Sequence, residues 1–123
     1  MRKILVIDDD EQIRKLLCRI MEQAGFEVKA AADGRKGLSL FEENFYDLVI
    51  TDLIMPEQEG IETITFLRKN YPQVKIIAIS GGGRIGPETY LPAALELGAN
   101  RAFAKPFSID QIINAVRELL DVT

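Results

Sequence analysis

Short apolar runs and longer amphipathic stretches alternate along the whole chain. Residues 3–8 (KILVID), 27–31 (EVKAA), 47–52 (DLVITD), 74–80 (VKIIAIS) and 101–104 (RAFA) read as strands. The first, third and fourth are nearly continuous valine, isoleucine and leucine, which predicts strands covered on both faces, as in a parallel sheet. Between them the apolar spacing changes to that of a helix. Ile13, Leu16, Leu17, Ile20 and Met21 recur three and four apart, and Gly25 stands where a helix C-terminus is expected. A second helix follows Asp33 as N-cap, with Leu38 and Phe41 inward. A third carries Ile61, Ile64 and Leu67 and stops before Tyr71-Pro72. The last opens on Ser108-Ile109-Asp110-Gln111, a capping-box pattern, and continues through Ile112, Ile113, Val116, Leu119 and Leu120. Residues 87–97 form a weaker helical pattern because Pro92 lies inside it.

Strands alternating with helices predict a doubly wound α/β sandwich: a five-stranded parallel sheet flanked by five helices. The common order at this size, that of flavodoxin-like folds, is 2-1-3-4-5. Ligands then bind beyond the carboxyl ends of the strands, where the order reverses between strands 1 and 3.

Composition narrows the chemistry. The chain has 123 residues, room for one ordinary domain, and residues 1–123 are read as that single domain. It is 47% hydrophobic and 28% charged, a globular balance. One cysteine, Cys18, excludes an internal disulfide framework, and no apolar run is long enough to span a membrane. A cytoplasmic location without membrane attachment is the expectation. The net charge is −4, and the basic residues fall in separated pairs such as Arg14-Lys15, Arg35-Lys36 and Arg68-Lys69. That pattern argues against direct nucleic-acid binding. There is no histidine, so histidine bases, metal ligands and phosphocarriers are excluded, and chemistry must rest on carboxylates, hydroxyls, lysines or backbone.

Strand 1 runs into Asp8-Asp9-Asp10 and strand 3 ends in Asp52. At the switch point these carboxylates converge, and like charges so close need a positive partner. Mg²⁺ suits them, being a hard ion that takes a few carboxylates or carbonyls and keeps several waters. Asp10 also fits a simple helix N-cap. Ser80 at the end of strand 4 and Lys105 after strand 5 would flank the acids. Acids, a divalent ion, an ammonium and a hydroxyl together suit a phosphoryl group, with Asp52 the central candidate nucleophile.

These motifs resemble the receiver domain of two-component response regulators over the whole chain, in its CheY-like single-domain form. They are Ile7-Asp8-Asp9, Asp52-Leu53-Ile54-Met55-Pro56 with Gly60, Ser80, and Lys105-Pro106-Phe107. The resemblance implies a phosphorylatable signalling switch rather than an enzyme with a free substrate, with weak self-catalysed phosphotransfer and dephosphorylation. It implies that Asp52 is the phosphoacceptor and that Asp9, Asp52 and the Ile54 carbonyl ligate Mg²⁺, with Asp8 acting through water. Ser80 and Lys105 would bind the phosphoryl group, and a cis bond before Pro106 would aim Lys105 inward. The donor would be a phosphohistidine on a sensor histidine kinase or phosphotransfer protein. The output would pass through the Ser80 loop and the face of helix 4, strand 5 and helix 5 to a downstream protein or an effector domain. The chain ends soon after helix 5, as a complete single-domain regulator or as a receiver cut from a longer protein.

Three departures from the family pattern shape the expectations. The aromatic switch position, three before the lysine, holds Ala102, while Phe103 alternates to the opposite face. Movement of the Ser80 loop is therefore expected to carry the signal. The loop 81–86 (GGGRIG) matches a dinucleotide fingerprint in spacing but not in place, and is read as a permissive hinge. Ile54 and Gly82 offer no side-chain group to orient water, which implies slow self-hydrolysis. Two other functional classes compete. One is a receiver-like interaction module that acts without phosphorylation, which Ala102 keeps open. The other is a flavin carrier, whose phosphate Asp8–Asp10 would repel.

Overall fold

The computed structural model describes residues 2–53, 59–80 and 87–121; Ile54, Met55, Pro56 and the glycine-rich loop 81–86 lie outside them. Strands β1 (Lys3–Ile7), β2 (Glu27–Ala31), β3 (Leu48–Asp52), β4 (Lys75–Ser80) and β5 (Arg101–Ala104) alternate with α1 (Glu11–Gln23), α2 (Gly34–Glu43), α3 (Glu59–Asn70), α4 (Pro87–Leu97) and α5 (Ile109–Leu119). All strand pairs are parallel and the order is β2-β1-β3-β4-β5. The doubly wound sheet predicted from the alternating pattern is the fold observed. Its strands are trimmed by a residue at some ends: Asp8 falls just beyond β1, although its N–H still bonds the Ala31 carbonyl.

Pleating divides the core in two. Ile4, Val6, Ile50, Ile77 and Ile79 face one layer, where they meet Leu17 and Met21 of α1 and Ile112 and Val116 of α5. Leu5, Ile7, Val49, Ile76 and Ala78 face the other, against Phe41 of α2, Ile64 and Leu67 of α3 and Ala94 of α4. The central strands are buried almost throughout, while β2 and β5 at the edges are largely exposed. Continuous apolar runs therefore mark interior strands, and the polar ones mark edges.

Caps define the helix starts beside the site. Asp10 accepts from the Gln12 and Ile13 amides, Asp33 from Lys36, and Ser108 from Gln111. Gly25 ends α1 with φ +98°, the left-handed conformation that its position predicted. Helix α4 continues through Pro92, the sixth residue rather than one of the first turn, so that one helical hydrogen bond is lost without ending the helix.

Candidate phosphoryl-transfer site

Four chain segments meet at the carboxyl end of the sheet because adjacent parallel strands all finish there. Asp52 is the last residue of β3 and is buried, and Asp8, one residue past β1, is 1% exposed. Asp9 stands beside them and is exposed. Asp8, Asp9 and Asp52 can each place a carboxylate oxygen within 4.8 Å of the other two. Three hard oxygen donors at that separation fit a hard divalent cation and give it no soft or nitrogen ligand.

Lys105 reaches into this cluster from the turn after β5. Its Nζ lies 3.1 Å from both Asp8 Oδ2 and Asp52 Oδ2. Burial disfavours the charged ammonium, but the Asp52 and Asp8 carboxylates more than offset that cost and hold the Lys105 pKa above the ordinary lysine value. The Lys105–Pro106 peptide is cis. The Lys105 amide donates to the Ser80 carbonyl at 2.9 Å, tying the turn to the end of β4.

Backbone contacts hold the two buried acids. Asp8 Oδ1 accepts from the Asp10 amide at 2.9 Å, and the Leu53 amide after Asp52 donates to Ile79 at 2.9 Å. Gly60 in the first turn of α3 packs directly on β3. A Cβ there would collide with the Asp52 carbonyl oxygen and lie 2.6 Å from Leu53 Cα. Glycine thus lets α3 start against the segment that presents Asp52.

Ser80 contributes an unusual feature. It is wholly buried, yet among the described residues its Oγ has no hydrogen-bond partner. An unsatisfied buried hydroxyl costs on the order of 1–3 kcal/mol, so one at the rim of an acidic site marks a group awaiting an acceptor. Of the other positions singled out, Ala102 pairs in register with Ala78 and packs on the α2–α4 layer, while Phe103 packs on the α1–α5 layer. The sequence reading missed Arg14. Its Nη1 donates to the Asp8 carbonyl at 2.8 Å from the second turn of α1. Nothing in the separated Arg14-Lys15 pair signalled that contact.

A hard-cation site, a lysine between two buried carboxylates and a spare hydroxyl, on a 2-1-3-4-5 sheet, describe a phosphate-handling signalling domain. Residues 4–117 match the family model of the response regulator receiver domain, and the chain belongs to that family of two-component signalling proteins. Transcriptional regulatory protein SrrA of Staphylococcus aureus is 36% identical over 118 residues, which make up 96% of this chain and 47% of that protein. The chain thus spans about half the length of the curated relatives it matches. Among solved structures, a response regulator receiver domain protein from Clostridium thermocellum is 30% identical with a TM-score of 0.89, covering 98% of this chain and 95% of that one. Response regulator protein TrrA of Thermotoga maritima, solved in complex with Mg²⁺-BeF, is 31% identical with a TM-score of 0.84, covering 97% and 99%.

Proposed function

We propose that this receiver takes a phosphoryl group onto Asp52 from a phosphohistidine of a sensor kinase or phosphotransfer protein. The observation that carries the reading is the convergence on Asp52 of Lys105 at 3.1 Å, the Asp8–Asp9 pair and the unpartnered Ser80 hydroxyl. An Asp52 carboxylate oxygen attacks phosphorus, the P–N bond breaks, and the leaving imidazole keeps the bonding electron pair and takes up a proton. The product is an acyl phosphate on Asp52. Asp9, Asp52 and the Ile54 carbonyl would hold Mg²⁺, with Asp8 acting through water; the ion would supply charge neutralisation to the phosphoryl oxygens. Lys105 pairs with one of those oxygens, and Ser80 Oγ donates the hydrogen bond it otherwise lacks.

Satisfying Ser80 links chemistry to output. Its hydroxyl turns toward the phosphoryl group and draws the chain after β4 with it, which changes the face of α4, β5 and α5 presented to a downstream protein or effector domain. Ala102 leaves no aromatic ring to rotate there. Among the described residues no helix is long and apolar enough to cross a membrane.

The test is intact mass after incubation with Mg²⁺ and acetyl phosphate, beside Asp52→Ala. One added phosphoryl group, absent from the variant and abolished by EDTA, is expected. No adduct from acetyl phosphate or from a phosphorylated kinase would favour an interaction module that works without phosphorylation.

A further inference from the structure

Basic pairs that are separated in sequence come together beside β2. Arg14 of α1 and Arg35 and Lys36 of α2 line one groove of about 590 Å³, whose floor is the chain from Ala30 to Ala32. A second groove of about 380 Å³ shares Arg14 and Ala30 and adds Lys15, Cys18, Arg19 and Glu22 along α1, so that three cations there face one carboxylate. In a chain of net charge −4 this is a concentrated positive surface. Lys15 is engaged by Glu11, but among the described residues no carboxylate forms an ion pair with Arg14, Arg19, Arg35 or Lys36. Arg14 is also held in place, since its Nη1 bonds the Asp8 carbonyl.

The floor of the groove is an open sheet edge. Among the described residues β2 pairs with β1 alone. The Glu27 amide donates to Arg2, and the Ala31 carbonyl accepts from Asp8, so residues 27, 29 and 31 turn their backbone groups toward β1. Alternation then turns the N–H and C=O of Val28 and Ala30 outward. Ala30 is exposed, and its methyl leaves the edge accessible. Cations therefore stand on both sides of an unpaired strand, with Arg14 on the α1 side and Arg35 and Lys36 on the α2 side.

We propose that the β2 edge is a docking site for an acidic, extended polypeptide segment, which adds to the sheet beside Ala30 and sets its carboxylates on Arg14 and on Arg35 and Lys36. Two independent features select this occupant. The unpaired Val28 and Ala30 backbone groups match an extended chain, and the alternating side chains of a strand reach both flanks of the groove at once. Exposed Lys29, on the same strand, disfavours pairing with a neutral or basic chain and so biases the edge toward acidic partners. The contact lies apart from the α4–β5–α5 face and is compatible with an unmodified Asp52.

The probe is a fluorescein-labelled ten-residue peptide in which pairs of glutamates alternate with pairs of threonines, so that carboxylates fall on both faces of an added strand, followed by anisotropy and by residue-resolved amide exchange of the full chain. Binding that weakens with added salt is expected, with slowed exchange at Val28 and Ala30 and no change at Lys29. An Arg35→Glu/Lys36→Glu variant should bind at least about tenfold more weakly, which corresponds to 1.4 kcal/mol. Both side chains are exposed, and its melting temperature should match the parent. Asp52→Asn should bind as the parent does, so failure of the phosphotransfer reading would leave this result intact. Equal binding by a peptide of the same charge with N-methylated amides would overturn strand addition in favour of a charged patch. Binding of tripolyphosphate with none of the peptide would overturn it in favour of a small-anion site.

Discussion

Lys105 is the residue on which the electrostatics of the site turn. Its ammonium sits 3.1 Å from two buried carboxylates, and without it Asp8 and Asp52 would lose the positive charge they share. Breaking a buried pair by removing one partner is costly, and the lysine here keeps some solvent contact, so we expect Lys105→Met to lose about 2 kcal/mol at pH 7 in EDTA. Urea unfolding measures this. The pH dependence has a definite sign. The folded pKa lies above the ordinary value, so the contribution is complete below about pH 10.4 and is lost as pH rises through the folded value. The gap between parent and variant should therefore hold level between pH 7 and pH 9 and narrow in strong alkali; a gap that closed on acidification from pH 9 to pH 7 would contradict the assignment. Cys18 offers a second check at this scale. Burial, with Glu22 adding to it and Arg14 opposing, pushes its thiol up. Alkylation by iodoacetamide at pH 8 should therefore be slower than in the urea-unfolded chain.

Among the elements, the C-terminal part of α3 does more than close the core. Arg68 donates through Nε and Nη2 to the Gly98 carbonyl, through Nη1 to the carbonyls of Pro72 and Val74, and contacts Asn100 Oδ1 at 3.1 Å. Asn100 Oδ1 in turn accepts from the Ile76 amide. One side chain thus joins α3, the start of β4 and the turn from α4 into β5. Gly98 takes φ +127°, and a Cβ there would lie 2.8 Å from Arg68 Cγ, so the turn and the arginine fit only as a pair. Arg68→Met should cost about 2–3 kcal/mol by leaving these carbonyls poorly satisfied. It should also speed amide exchange at Gly98 and Ala99. Unchanged exchange there would mean that the turn holds itself. Gly25 was readable as a helix end because α1 has strong apolar periodicity before it. Gly98 was not, because the residues before it carry Pro92 and a weak pattern, and because its partner lies thirty positions away in sequence.

For the molecule as a whole, the question is how an event at Asp52 reaches the α4–β5–α5 side. In the proposed route the Ser80 hydroxyl moves, and the Lys105 amide bonded to the Ser80 carbonyl moves with it. Ala102, two residues before the Ser80–Ala104 pair, lies in register with Ala78 in a layer that also holds Ala94. Three small residues leave little side-chain bulk to rearrange, which favours a backbone shift over a rotating ring. Ala102→Tyr would add an aromatic ring at a half-buried position against this layer. We expect it to lower stability by about 1–3 kcal/mol while changing the phosphorylation-dependent shift in target affinity by less than about threefold. Calorimetry and a binding titration with beryllofluoride-treated protein would measure both; a large gain in coupling would restore an aromatic gate.

The order of elements and the identity of the acidic site were open to reading from the chain, since both depend on local signals. Buried parallel strands must be continuously apolar, their carboxyl ends carry the chemistry in a doubly wound sheet, and aspartates at two such ends have few other uses. Caps at Asp10, Asp33 and Ser108 follow from the same short-range rules. Tertiary structure decided what depends on distance in space between residues remote in sequence. It left the Ser80 hydroxyl buried without an acceptor, put Arg14 on the Asp8 carbonyl and clasped Gly98 with Arg68. It also gathered separated basic pairs beside the β2 edge. Periodicity reports which face of an element is buried; it carries no information on which faces of different elements are brought together, because packing of the assembled layers sets that.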